Sequence, residues 1–170
     1  LIFNDIMHAL EEGRSPLVLT ERLSQLAILE DKLSKVARNV IVLKGKMTKK
    51  ERQQAKEKLG TIPDNEERVI ISTGKYIGEG FDDHRLDTMF LCLPISSKTN
   101  IQQYAGRLHR IHSAKESVQV YDYVDTEIPR CQKMFKKRSR RYRGLGYNLI
   151  GKETPDAPQE IEYIPEELLV

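Results

Sequence analysis

No stretch of this chain approaches the roughly 20 consecutive apolar residues that a bilayer-crossing helix needs, and no basic leader precedes an apolar segment. Neither membrane insertion through a helix nor export is suggested. Cysteine is scarce: Cys92 and Cys131 are the only two in 170 residues. They are too few and too far apart for a disulfide framework, which points to a reducing compartment, the cytoplasm, or the nucleoid if DNA is the partner. The seven tyrosines and four phenylalanines are scattered and form no evident platform for stacked bases. Metal-ligand spacing is missing as well. His109 and His112 lie three apart with no cysteine or acid to complete a site, and His84 after Asp82-Asp83 reads as a turn, so no metal site is expected. The chain opens at Leu1 rather than at a methionine, which suggests a piece of something longer.

What is present is enough for one compact domain. With 170 residues, 39% of them hydrophobic and 31% charged, the chain can bury a core and remain water-compatible. The formal net charge of +3 hides an asymmetry: between Lys133 and Arg143 seven of eleven residues are Lys or Arg, whereas from Glu153 onward there are acids and no basic residue. A polyanion would feel that distribution, although a solvated helix face followed by an acidic tail has the same pattern.

Strand and helix patterns alternate along the chain. Leu17-Val18-Leu19 after Pro16 fits a buried parallel strand, and Thr20 is placed to cap a helix with apolar positions at Leu23, Leu26, Leu29, Leu33 and Val36. Residues 40–43 read as a second strand; Thr48 and Glu51 have capping-box spacing and open a charged helix to about Leu59. A polar loop leads to a third strand at 69–72, and glycines at 74, 78 and 80 interrupt regular structure. A fourth strand spans 88–93, a helix capped by Thr99 or Asn100 runs to about Ile111, and a fifth strand spans 117–124. Asp125 or Thr126, with Pro129 just inside, starts a last helix to about Tyr142. Such alternation predicts an α/β fold: a parallel sheet with helices on both faces. Residues 1–10 look like an amphipathic helix ahead of the sheet, and the Pro- and Glu-rich composition after Gly144 reads as a tail, linker or docking segment.

In open parallel sheets ligands bind at the carboxyl ends of the strands. Two segments combine glycines, polar residues and arginines in a manner suited to that edge. Residues 72–83 leave the third strand with Ser72, Thr73 and glycines that let backbone N–H groups approach a phosphate, followed by carboxylates able to accept from a ribose hydroxyl or bridge to an arginine. In Gln103-Tyr104-Ala105-Gly106-Arg107-Leu108-His109-Arg110, Gln103, Arg107 and Arg110 share one helix face and suit a charge-dense partner such as a triphosphate. Tyr104, Leu108 and Ile111 form the neighbouring apolar face. Each segment alone has an ordinary structural explanation, a turn in one case and a salt-bridged surface helix in the other.

Together these motifs resemble the second motor domain of superfamily-two helicases of the DEAD/DEAH type, with a likeness to restriction-enzyme translocating subunits. Gln103 to Arg110 looks like the arginine-finger motif, Gly-Glu-Gly-Phe-Asp at 78–82 like the fifth motif, and residues 17–22 like the fourth; Leu43 to Thr48 is similar to the family's connecting segment. The likeness spans 15–147, which would be the RecA-like domain, a three-layer P-loop NTPase type of fold, with 1–14 a helix or linker from the preceding lobe and 148–170 a tail or linker. The resemblance implies an ATP-dependent helicase or translocase in which ATP with Mg2+ is held mainly by a first lobe. Neither a Gly-x-x-x-x-Gly-Lys-[Ser/Thr] run nor an acidic box occurs in this chain, so by itself it is expected to be inactive.

Carried over residue by residue, the resemblance makes Arg107 and Arg110 arginine fingers and lets Gln103 orient water or contact phosphate. Glu79, Gly80 and Asp82 would lie near the nucleotide, and Thr20, Arg22, Gly45, Ser72, Thr73 and Gly78 near a nucleic-acid backbone. Tyr104 stands where DEAD-box RNA helicases carry an arginine, which favours DNA over RNA. Lys136 and Lys137, with Lys133, Arg140 and Arg141, share one side of the last helix and could meet phosphates; Ile128, Cys131, Phe135 and Tyr142 fall mostly on the other. Partners would be nucleic acid, the first lobe and, left open, nuclease or methyltransferase subunits. The competing readings are a non-catalytic nucleic-acid-binding module, disfavoured by the intact Arg107 and Arg110, and an unrelated phosphate-binding enzyme, weakened by the lack of Gly-x-Gly-x-x-Gly after the first strand.

Overall fold

The structure, a computed structural model, describes residues 1–78, 81–92, 98–113, 115–150 and 159–163. Its elements are α1 (Ile2–Glu11), β1 (Pro16–Leu19), α2 (Leu23–Leu33), β2 (Val40–Leu43), α3 (Lys49–Thr61), β3 (Val69–Ser72), α4 (Gly74–Gly78), β4 (Thr88–Leu91), α5 (Lys98–Leu108), β5 (Val118–Asp122), α6 (Pro129–Gly144), β6 (Asn148–Ile150) and β7 (Gln159–Tyr163). The seven strands form one sheet in the order β2-β3-β1-β4-β5-β7-β6. β1 to β5 pair in parallel, with Val18 opposite Ile71 on one side and Phe90 on the other. This is the α/β fold expected from the alternation of elements, and its parallel sheet is the RecA-like arrangement that the resemblance implied.

The pleat sorts the core into two halves. Leu17, Leu19, Ile41, Leu43, Ile70, Met89, Leu91, Val118 and Val120 face the layer containing α3, α4, α5 and α6. Val18, Val69, Ile71, Phe90 and Tyr121 face α1 and α2, through Ile6, Ala9, Leu10, Leu26, Leu29 and Leu33. Burial on both faces is why these strands read as continuous apolar runs rather than alternating ones. Helix α3 is the exception among the covering helices. None of its residues is buried, and it touches the core only through the partly buried Ala55 and Leu59.

Several helix ends differ from the sequence expectation. Thr48 and Glu51 do form a reciprocal capping box on α3. Thr20 does not cap α2: the N-cap is Arg22, and Leu23 and Val36 are more than half exposed instead of lying on the buried stripe. Helix α5 begins at Lys98, so Thr99 and Asn100 lie inside it. It stops at Leu108, leaving Ile111 89% exposed and outside the apolar face made by Ile101, Tyr104, Ala105 and Leu108. The N-cap of α6 is Ile128, not Asp125 or Thr126, and Ile128 is 46% exposed. Pro129 in the first turn lacks only the N–H that would go unpaired there, and no side chain caps the helix. Cys92 follows β4 rather than sitting inside it and is half-buried; burial pushes its thiol up to about 12, so it stays protonated.

The segment after Gly144 contributes to the sheet: β7 pairs antiparallel with β5, and β6 antiparallel with β7. Its Pro- and Glu-rich flanks obscure the apolar alternation of Ile161 and Tyr163. Helix α6 reaches the sheet through a buried polar cluster that the run of basic residues conceals. Arg138, 2% exposed, donates through Nε and Nη2 to the two carboxylate oxygens of Asp122, both at 2.7 Å, and Tyr142 Oη donates to Oδ2 at 3.1 Å. Replacing Arg138 with Met leaves the Asp122 charge buried and uncompensated. Chemical denaturation should show a loss of about 3–5 kcal/mol, whereas Lys35→Ala, which breaks the exposed pair with Asp31, should stay within about 0.5 kcal/mol.

Candidate functional site

Parallel pairing brings the carboxyl ends of β1, β2 and β3 to one edge, where the loops after them are laced together. Thr20 N–H donates to the Ser72 carbonyl at 3.0 Å and Thr73 N–H to the Leu43 carbonyl at 3.1 Å. Gly45 N–H donates to Thr73 Oγ1 at 3.1 Å, and Ser72 Oγ donates to the carbonyls of Leu43 and Thr73. Thr20 Oγ1 accepts from Arg22 N–H and hydrogen-bonds Gln25 Oε1 at 2.6 Å, a local turn that sets the start of α2. Thr20, Gly45, Ser72 and Thr73 are therefore brought together, and the three hydroxyl side chains are buried and used in building the edge. The Arg22 side chain is exposed beside them, and Gly78 ends α4. Glu79 and Gly80 lie outside the described residues.

Helix α5 crosses this edge at its middle. Tyr104 is buried, and its hydroxyl approaches Gly74 so closely that a Cβ on that glycine would sit 2.5 Å from it and 2.9 Å from Glu21 Oε1. Burial and the nearby Glu21 carboxylate raise the Tyr104 phenol above its ordinary pKa, so it stays protonated. The helix then runs back toward the amino ends of the strands. Gln103 is exposed and Arg107 half-buried on α5; Arg110 lies beyond the helix end, so the three do not share one continuous helix face.

Arg110 instead turns onto Asp82, Nη1 to Oδ2 at 2.5 Å, with both side chains partly exposed. Asp83 next to it is buried and pairs with Arg68, immediately before β3, which anchors the loop carrying Asp82. Among the described residues Arg107 forms no hydrogen bond or ion pair. Beside Asp82, Tyr76 and Phe81 stand 6.3 Å apart with Lys56 across a small depression of about 130 Å³. Around Asp82 the structure thus gathers the Arg110 guanidinium, a carboxylate and two aromatic rings.

A family model described as the helicase conserved C-terminal domain matches residues 2–112. The chain belongs to that family. It is 27% identical over 131 residues to the transcript termination protein A18 of Fowlpox virus (strain NVSL), covering 77% of this chain and 28% of that protein. The chain thus spans little more than a quarter of the curated relative it matches. Among solved structures it resembles T4 UvsW, with a TM-score of 0.65 and 14% identity over 84% of this chain and 31% of the other. It also resembles the C-terminal part of the Fun30 ATPase domain, with a TM-score of 0.57 and 16% identity over 83% and 52%. These two likenesses establish the fold, and the family match runs from α1 into the turn after α5.

In this helicase lobe, α6 lies beyond the matched residues. Lys136 and Lys137 are exposed on it with Lys133, Arg140 and Arg141, while Arg138 and Tyr142 point inward. Among the described residues no group of three or more His, Cys, Asp or Glu side chains could hold a metal ion, and no helix is long and apolar enough to cross a membrane. His109 is hydrogen-bonded through Nε2 to Tyr147 Oη at 2.7 Å, and His112 lies 3.7 Å from Asp64. Sequence reasoning missed the Glu21, Gly74 and Tyr104 contact, since nothing local says that residues 30 apart meet. Gly74→Ala should destabilise the lobe by about 1–3 kcal/mol through overpacking. Adding Tyr104→Phe, which removes the clashing hydroxyl, should recover most of that loss in thermal or urea unfolding.

Proposed function

We propose that this chain is the second motor lobe of an ATP-dependent nucleic-acid helicase or translocase, acting on a nucleotide held mainly by a preceding lobe. The observation that carries the reading is the Gln103 to Arg110 segment. It sits inside the family match, leaves Arg107 with no partner among the described residues and ties Arg110 to Asp82 of the glycine-containing loop. The chemistry of the donors fits that division of labour. Guanidinium groups suit phosphate oxygens and not a metal, so Mg2+ would fall to the first lobe together with most ATP contacts.

Arg107 and Arg110 serve as arginine fingers that neutralise charge on the transferring phosphoryl group, and Gln103 orients water or contacts phosphate. Asp82 holds Arg110 in the absence of nucleotide and lies by the ribose with Glu79 and Gly80. Arg22, Gly45 and Gly78 meet the nucleic-acid backbone at the strand edge; Thr20, Ser72 and Thr73 keep those loops in place. Lys136 and Lys137 add sequence-independent phosphate contacts. DNA is the favoured track because Tyr104 replaces the arginine of the RNA-unwinding branch. The transcript termination role in the name of the Fowlpox relative is compatible with a motor acting at a transcription bubble. The lobe proper is 15–147, with 1–14 leading in from the first lobe, and the compartment is cytoplasmic.

In the two-lobed protein, Arg107→Ala should lower nucleic-acid-stimulated ATP turnover by about 10³-fold or more while leaving nucleic-acid affinity within about twofold. Turnover near the wild-type rate would overturn the finger assignment. Lys136→Glu combined with Lys137→Glu should weaken binding to duplex DNA and flatten the dependence of log K on log salt by about 2. An unchanged slope would leave α6 as solvated surface.

A further inference from the structure

Residues 108–110, where α5 gives way to the turn after it, are each tethered. A helix end leaves its last carbonyls without intrahelical partners, and here Lys115 supplies them: Nζ donates to the Leu108 carbonyl at 2.8 Å and to the Arg110 carbonyl at 2.6 Å. The residue between, His109, is held through its ring by Tyr147 Oη at 2.7 Å, with the two rings 5.2 Å apart. Tyr147 is itself buried, edge-on to Tyr142 of α6 with centroids 5.9 Å apart. The Arg110 side chain completes the set through Asp82. Arg107, in the last turn of α5, has no such tether on its side chain among the described residues, so its aim depends on how the carboxyl end of that helix is held. Neither Lys115 nor Tyr147 belongs to the matched residues 2–112.

We propose that Lys115 and Tyr147 are positioning residues for the arginine fingers, fixing the 108–110 turn so that Arg107 and Arg110 reach the phosphates in register. The inference rests on the motor reading above. Burial holds Lys115 down to about 8, and burial with the Lys115 charge lowers His109, which keeps that imidazole neutral beside the ammonium. An amine kept in so costly a place is retained by its two carbonyl contacts, which a surface lysine would not need. The positive group at a helix carboxyl end also complements the helix dipole. Displacing reacting groups by about 1 Å can slow a positioned reaction by up to about a hundredfold, so a loosened turn shows in the chemical step and not in binding.

The test uses the two-lobed protein with Tyr147→Phe, which keeps the ring and removes only the hydroxyl, and Lys115→Met, which keeps the stem and removes the donor. Lys35→Met, exposed in the turn after α2, is the control. Each of the two variants should lower kcat by about tenfold or more, with KM for ATP, nucleic-acid affinity and melting temperature close to wild type and the control unaffected. Wild-type kcat in both variants while Arg107→Ala is inactive overturns the positioning role and leaves the finger assignment standing. A loss that follows KM or melting temperature, with kcat preserved, overturns it also. If Arg107→Ala itself turns over normally, the motor reading falls and this inference with it.

Discussion

The central strand β1 is the constraint on which the rest of the arrangement depends. Its four residues are buried on both faces and pair in parallel with β3 on one side and β4 on the other. Because all neighbours run the same way, the loops that leave β1, β2 and β3 emerge at one edge, where Thr20 bonds Ser72 and Gly45 bonds Thr73. The same parallel order forces each connection to cross a face of the sheet as a helix. Thus α5, which follows β4, packs back along one face of the sheet from that edge. Tyr104, in the middle of α5, meets Gly74 at that edge, and Arg107 lies within one turn further along the same helix, with Arg110 just beyond its end.

Two kinds of polar contact hold this frame. The buried Asp122–Arg138 pair, with Tyr142, fixes α6 to the carboxyl end of β5, and the cost of burying both charges is offset by bidentate geometry and a third hydrogen bond. The Arg110–Asp82 pair is of another kind. It is accessible on both sides and costs little to open, which suits a group that exchanges a carboxylate for a phosphate. Rigidity and exchangeability are therefore separated by burial.

The sheet and the order of its elements were legible because buried parallel strands are continuous apolar runs and the charged helix α3 carries a complete capping box. Helix ends were less legible. Thr20, Asp125 and Thr126 have good capping chemistry, yet each serves a turn before the helix begins. The edge strands β6 and β7 were hidden because their pairing with β5 is a long-range contact, masked by prolines and acids nearby. At the site, the motif spacing pointed to Arg110 and Asp82, whose pairing the structure supplies. Glu21, Lys115 and Tyr147 carry no local pattern and are identified only by what lies across from them. Arg138 was the opposite case, since seven basic residues among eleven make it look like its solvated neighbours although it is buried.

Helix α3 has a consequence for how the lobe moves. It is anchored at its start by Thr48 and Glu51 and by Arg52 reaching the Gly45 carbonyl, but it buries no residue of its own. Local opening of a segment costs only the contacts that segment makes. Its amides should therefore exchange with solvent through partial unfolding, well below the free energy that opens the sheet. The Gly45 loop, joined to α3 through Arg52 and to β3 through Thr73, then lies on the boundary between a stiff body and a loosely docked helix. A polymer gripping that loop would draw on the compliance of α3 and leave the register of the strands undisturbed.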